Sequence, residues 1–188
     1  MATTDSLPWT GDDAADRLLA TNPLALMLGM LLDQQVKMEM AFRAPLLLQD
    51  RLGRPLDASA IAAMDPDEFV GHFVDKPALH RFPGSMGTRA YQLCETVADT
   101  YGGKPERIWR EAADGAEFYR RLRELPGFGE AKARIFVGVV GKRLGEAPDG
   151  WEAEAADWAS IADVDTYEKI EDIRLAKRAA KEAAKKHA

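Results

Sequence analysis

Apolar residues recur at three- and four-residue spacing along almost the whole chain, with hardly any sustained alternation, and this periodicity predicts an all-α protein. The acidic pair Asp12-Asp13 opens a first helix over 12–20, suited to the positive pole of a helix start. Asn22-Pro23 supplies a cap and a first-turn proline for a second helix that runs to about Val36. The third runs to Leu52 and stops at Gly53, with Pro45 implying a kink or a break inside it. Short helices follow over 57–64 and 65–69, the second with Asp65 as cap and Pro66 at its first position. Residues 76–87, KPALHRFPGSMG, predict a loop, Thr88 to Tyr101 a longer helix closed by Gly102-Gly103, and Pro105 to Ala113 a short one.

Residues 114–145 are the most informative. Asp114 caps an amphipathic helix ending at Leu125, Pro126-Gly127-Phe128-Gly129 forms a turn, and an apolar helix runs from Glu130 to Leu144, which together make a helical hairpin. Beyond Gly145 lies an acidic, Trp-bearing loop, PDGWEAEAADW, and then a terminal helix from about Asp165. That helix has no apolar stripe beyond Ile170, Ile173 and Leu175, so its distal half reads as solvated; a basic tail can touch DNA, but charge runs are more often merely exposed. The chain thus divides into a helical domain over 1–150 and an acidic loop with a basic C-terminal helix over 151–188.

With 188 residues, 46% of them hydrophobic, the chain is long enough for one domain with a real core, or at most two small ones. The longest apolar run, Pro23 to Leu32, stops at Asp33-Gln34-Gln35, well short of the roughly 18 residues of a membrane span. The start, MATTDSLPWTGDDAADR, lacks the basic region and apolar core of a secretory signal, so a soluble, cytoplasmic, monomeric protein with no membrane partner is expected. A single cysteine, Cys94, cannot form an internal disulfide or hold an iron–sulfur cluster or structural zinc alone. His72, His80 and His187 lack ligand spacing and read as ordinary surface or half-buried side chains, so neither a metal site nor a cofactor is expected. The net charge of −6 argues mildly against a nucleic-acid partner, but its distribution softens that argument. Residues 76–113 carry +2, 114–145 carry +3, 146–172 carry −9 and 173–188 carry +5, which confines any anion-binding face to about 76–145 or to the tail.

The two glycines of the hairpin turn permit backbone conformations closed to other residues and remove side chains that block an approach from outside. The helix starting at Glu130 directs unpartnered amides at that turn, an arrangement shaped for a phosphate. Lys132 and Arg134 add charge within the first turn and a half, whereas Glu130 opposes an anion. A plain tight turn between helices has the same composition, and both readings stand.

Leu125-Pro126-Gly127-Phe128-Gly129-Glu130-Ala131-Lys132-Ala133 resembles the L-P-G-hydrophobic-G-x-x-x-A hairpin of the helix–hairpin–helix DNA glycosylase superfamily, which includes endonuclease III, the adenine glycosylase acting on A·oxoG mispairs and the alkyladenine glycosylases. Leu31-Leu32-Asp33-Gln34-Gln35-Val36 is similar to that family's early L-x-Q-Q helix end, and Phe82-Pro83-Gly84 through Thr88-Arg89-Ala90 to its G-x-x-x-x-K/R-A segment. The resemblance covers roughly residues 22–150. It implies an all-α helix–hairpin–helix glycosylase-like bundle, small and without a cluster. It implies also that the partner is duplex DNA carrying a lesion or mispair, whose damaged base is flipped out and cut from its sugar at the N-glycosidic bond.

Carried onto this chain, the resemblance makes Gly127, Phe128, Gly129 and the amides around Ala131 to Ala133 the grip on the DNA backbone, with Lys132, Arg134 and Arg89 adding charge. It places Gln34 and Gln35 at the gap left by the base; a polar helix end satisfying nearby backbone groups is the equal alternative. Asp149, 18 residues beyond Ala131, is the implied catalytic carboxylate, with Asp165 and Asp33 as alternatives. The context Pro148-Asp149-Gly150-Trp151 departs from the family pattern and also reads as a turn, while Asp165 is a natural helix cap. Strand-cutting relatives carry a lysine at the position of Ala131; Lys132 is rotated from it by about 100° and is expected to contact phosphate or to be a solvated charge, so a monofunctional enzyme is expected. Trp9, Phe42, Phe82, Trp109, Trp151 and Trp158 are the aromatics that can stack on a base, although such residues are more often core. Two rival readings are a catalytically silent DNA-binding protein of the same fold and a helical protein-interaction module.

Overall fold

A computed structural model describes residues 4–186, so His187 and the first three residues of the N-terminal segment lie outside the described part. Among the described residues the chain is helical with no strand. Helix α1 (Asp13–Thr21) is capped by Asp12 and α2 (Pro23–Leu32) by Asn22, with Pro23 in the first turn. Helix α3 (Met38–Leu52) ends on Gly53 in the left-handed conformation, followed by α4 (Ala58–Ala62) and α5 (Pro66–Val74), capped by Asp57 and Asp65. Next come α6 (Pro83–Tyr101), α7 (Arg107–Arg110), α8 (Gly115–Arg123) and α9 (Glu130–Val139), the last continued by a π turn over Val140–Leu144. Helix α10 (Trp151–Glu154), a 3₁₀ turn over Ile161–Asp163 and α11 (Lys169–Lys186) complete the chain.

Every residue of α2 from Leu24 to Leu32 is buried, as a helix apolar on all sides must be. Helices α1, α3, α6 and α9 pack around it. Aromatic pairs fill the spaces between helices, Trp9 on Phe42 at 4.9 Å and Trp109 on Phe136 at 6.0 Å among them. Ile161, Ala162, Val164, Ile170 and Ile173 belong to the same core, so residues beyond 150 differ in composition from the rest but share its interior.

Several elements depart from the sequence expectation. Helix α2 stops at Leu32 instead of Val36 because its last carbonyls are taken by side chains from elsewhere, as described below. Helix α3 runs through Pro45 unbroken; burial of Phe42 and Leu48 at about 1.5–3 kcal/mol each outweighs the roughly 3 kcal/mol that an interior proline costs. Helix α6 starts at Pro83 instead of Thr88, because proline's missing N–H is harmless in a first turn and Met86 and Gly87 bury against the core. Helix α5 extends to Val74, with Phe73 buried against Gly87, and α7 is shorter than expected. Helix α11 begins at Lys169, and Asp165 pairs with Lys169 at 2.7 Å instead of capping.

Candidate functional site

The hairpin turn joins α8, capped by Asp114 through the Glu117 amide at 2.8 Å, to α9. Its two glycines do different work. Gly127 has φ +80°, and a Cβ there would lie 2.1 Å from Leu31 Cδ1, so it fits the turn onto the end of α2. Gly129 is the N-cap of α9 and a Cβ there meets nothing within 4 Å. The first intrahelical bond runs from Ala133 N–H to the Gly129 carbonyl at 3.0 Å, leaving the amides of Glu130, Ala131 and Lys132 facing open space without a side-chain cap. Helices α1, α2, α4, α5 and α8 all carry an Asp or Asn cap instead. Phe128 offers neither side chain nor amide to a partner: its ring is buried perpendicular to Phe136 at 5.7 Å, and its N–H donates to the Leu125 carbonyl.

Across from this turn, α2 ends in a tight bend. Asp33 has φ −71° and ψ 68°, the centre of an inverse γ-turn that closes Gln34 N–H onto the Leu32 carbonyl at 2.7 Å. Gln35 then adopts φ +58°, the one described non-glycine residue in the left-handed region, and its side chain is exposed. Two groups from distant elements hold this shape. Lys132 Nζ donates to the Leu31 carbonyl at 2.6 Å, and His80 Nε2 lies 3.1 and 3.0 Å from the carbonyls of Leu32 and Gln34. Because His80 Nδ1 accepts the Phe82 amide at 3.0 Å, the ring is the neutral tautomer with its proton on Nε2. Lys132 is therefore not the solvated charge that its neighbours in sequence suggest, and His80, only 2% exposed, is not a surface histidine.

Burial pushes the Lys132 ammonium down to about 8, an effect Arg89 reinforces and Asp33 opposes. Burial likewise lowers His80 below the ordinary histidine value, against the hydrogen bonds to Gln34 and Leu32. Arg89 is exposed, and Arg81 lies over the exposed Phe82 ring at 5.3 Å. Arg134 faces the flank: its side chain reaches Glu130 at 3.4 Å, the Glu154 carbonyl at 3.3 Å and the Tyr119 ring at 5.2 Å. The arrangement thus gathers Gly127, Gly129, Ala131, Lys132, Gln34, Gln35 and Arg89, together with Asp33, whose carboxylate pairs with Lys177 at 3.6 Å.

The other two carboxylates lie elsewhere. The Asp149 carbonyl accepts the Gly115 amide at 2.8 Å, and the residue lines a hollow with Gly141, Gly145 and Trp151 at the opposite end of the hairpin. At 1.5 Å per residue, α9 puts roughly 15 Å between that hollow and the turn. Asp165 is held low by the Lys169 ammonium. Of the aromatics, Trp9, Phe42 and Trp109 are core, Trp151 packs on Gly141, and Phe82 and Trp158 are exposed. Sequence reasoning missed His80 and the Lys132 bond to Leu31, which join residues 48 and 101 positions apart and leave no local signal. The chain matches no protein-family model, no curated protein and no solved structure.

Proposed function

We propose that this chain is a helix–hairpin–helix base-excision DNA glycosylase that binds damaged or mispaired duplex DNA and hydrolyses the N-glycosidic bond without cutting the strand. The observation that carries the reading is a joint: the open amides of α9 at Gly129 and the left-handed bend at Gln35 are tied together by Lys132. A phosphate at those amides gains charge-assisted hydrogen bonds and the positive pole of the helix, with Arg89 adding charge. Gln35, exposed on the bend, fills the gap left by a flipped base, and the exposed Phe82, its ring 6.1 Å from that of His80, offers a stacking surface.

In the reaction the bond from base to sugar carbon breaks, the electron pair leaves with the base, and water supplies hydroxide to the sugar and a proton to the base. A carboxylate beside the cationic sugar lowers that barrier. We assign this role to Asp33, which adjoins the bend, over the remote Asp149. The Lys132 amine is committed to the Leu31 carbonyl, so water and not an amine is the nucleophile. One observation favours a binding-only variant of this reading: Lys177 pairs with Asp33.

The test is duplex affinity and single-turnover base release on a panel of lesion and mismatch duplexes. Gly129→Asp, which places a carboxylate cap in the phosphate position, is expected to weaken binding to every duplex at least about tenfold, and Asp33→Asn to slow release about 100-fold. Binding without release across the panel selects the binding-only variant. Unchanged affinity in folded Gly129→Asp removes both.

A further inference from the structure

The C-terminal helix carries a pattern that the proposed site does not use. In α11, Arg174, Lys177, Arg178, Lys181 and Lys185 fall within a sector of roughly 100° of the helix circumference at 100° per residue. The stripe is anchored at its start by Ile170 and Ile173 in the core. Its first two cations are docked beside the candidate site, Lys177 on Asp33 in the bend and Arg174 on Glu39 in the first turn of α3. Between that bend and α11 lies a groove of about 450 Å³, lined by Asp33, Lys37, Met38, Arg174, Lys177 and Arg178. Arg178 at its edge and Lys181 and Lys185 beyond it are exposed and make no ion pair among the described residues. The opposite face is alanine, with Leu175 the last large apolar residue.

We propose that this stripe is a phosphate-tracking arm for duplex DNA, continuing the hairpin's grip past the Gln34–Gln35 bend; the inference rests on the duplex-binding reading above. The chemistry selects the partner. A helix that lies on a membrane or fills a protein groove needs an apolar face, which the distal part of α11 lacks. A row of cations without an apolar face suits a polyanion with regularly spaced charges, and one DNA strand carries a phosphate per roughly 3.4 Å of axis. Three exposed cations over eight residues, or seven rises of about 1.5 Å, span about 10 Å, the rise of three phosphates. Contiguity with the hairpin end makes the phosphate ladder of the gripped strand its natural continuation.

The experiment measures affinity of the full chain for one 20-base-pair duplex between 50 and 200 mM salt. The comparison is wild type, the triple variant Arg178→Gln/Lys181→Gln/Lys185→Gln and Gly129→Asp. Each phosphate contact contributes about 0.9 to the slope of log affinity against log salt, so the triple variant should lose roughly 2.7 of slope, and the wild type should weaken about fortyfold more than the variant over that range. An unchanged slope in the triple variant, with binding still weakened by Gly129→Asp, overturns the arm alone. Salt-insensitive or absent binding by the wild type overturns the hairpin reading and the arm together. Stripe-dependent binding to phosphatidylserine vesicles but not to duplex also overturns the arm.

Discussion

The two ends of the α8–α9 hairpin are both built on glycine and use it in opposite ways. At the Asp149 end, a Cβ on Gly115 would lie 2.5 Å from the Trp151 amide nitrogen, and one on Gly141 2.4 Å from the Trp151 indole. Asp114 caps α8 there, Gly115 donates to the Asp149 carbonyl, and Glu146 accepts from Trp109 Nε1 at 2.9 Å and Arg110 at 2.8 Å, while Arg143 Nε in the adjoining π turn is buried without a partner. At the turn end Gly129 opens outward, three amides lack partners, Gln35 is left-handed and a lysine amine is desolvated. The lesson is that glycine content does not distinguish scaffold from site. The direction in which the glycine opens and a non-glycine residue held in the left-handed region do, because a fold retains such backbone cost where something else requires it.

The sharpest way to break this comparison is to add a side chain at each end. Gly115→Ala forces backbone apart and should cost about 2–3 kcal/mol, a fall of roughly 4–12 °C in Tm by calorimetry. Gly129→Asp adds a cap and a negative charge at a positive pole and should raise Tm by about 1–2 °C. Equal losses at the two positions would erase the distinction between the ends.

A smaller effect concerns Lys132. Its folded value of about 8 lies below the ordinary 10.5, so between those values the unfolded chain holds the proton more tightly and stability rises with pH. Urea midpoints of the wild type minus those of Lys132→Met should therefore climb from pH 8 to 10.5, the buried tyrosines and Cys94 cancelling in the difference. A flat difference would place the amine in water and detach the hairpin from the bend.

The smallest concerns His80, whose lowered value means that the folded state favours the neutral ring. Its contribution is complete above the ordinary value of 6.5 and is lost as pH falls through it toward the lower folded value. His80→Gln keeps a donor for the two carbonyls without titrating. The stability of wild type relative to that variant should decline from pH 7 to 5, and a constant difference would show that the ring is not what holds the bend.

Much of the fold was legible in the residues. Asp12, Asn22, Asp57, Asp65 and Asp114 mark helix starts that the structure contains, because a cap is a contact between neighbours two or three residues apart. Gly53 and Gly102 end helices in the left-handed conformation for the same local reason. Boundaries failed where distant packing intervened: the end of α2 answers to Lys132 and His80, and the start of α6 to the burial of Met86.

The candidate site divides along the same line. The amino-acid sequence by itself determined an all-helical chain, the hairpin with its Gly-containing turn, and the uncapped start of α9, since these depend on period, propensity and residues a few positions apart. Only the tertiary structure decided that Gly127 faces inward and Gly129 outward, that Asp33 and not Asp149 stands beside the turn, and that α11 lays a basic stripe against the bend. Those outcomes depend on which residues meet across about 100 positions or more. Such meetings are set by how whole helix faces bury around α2, a property of the summed packing that no local segment encodes.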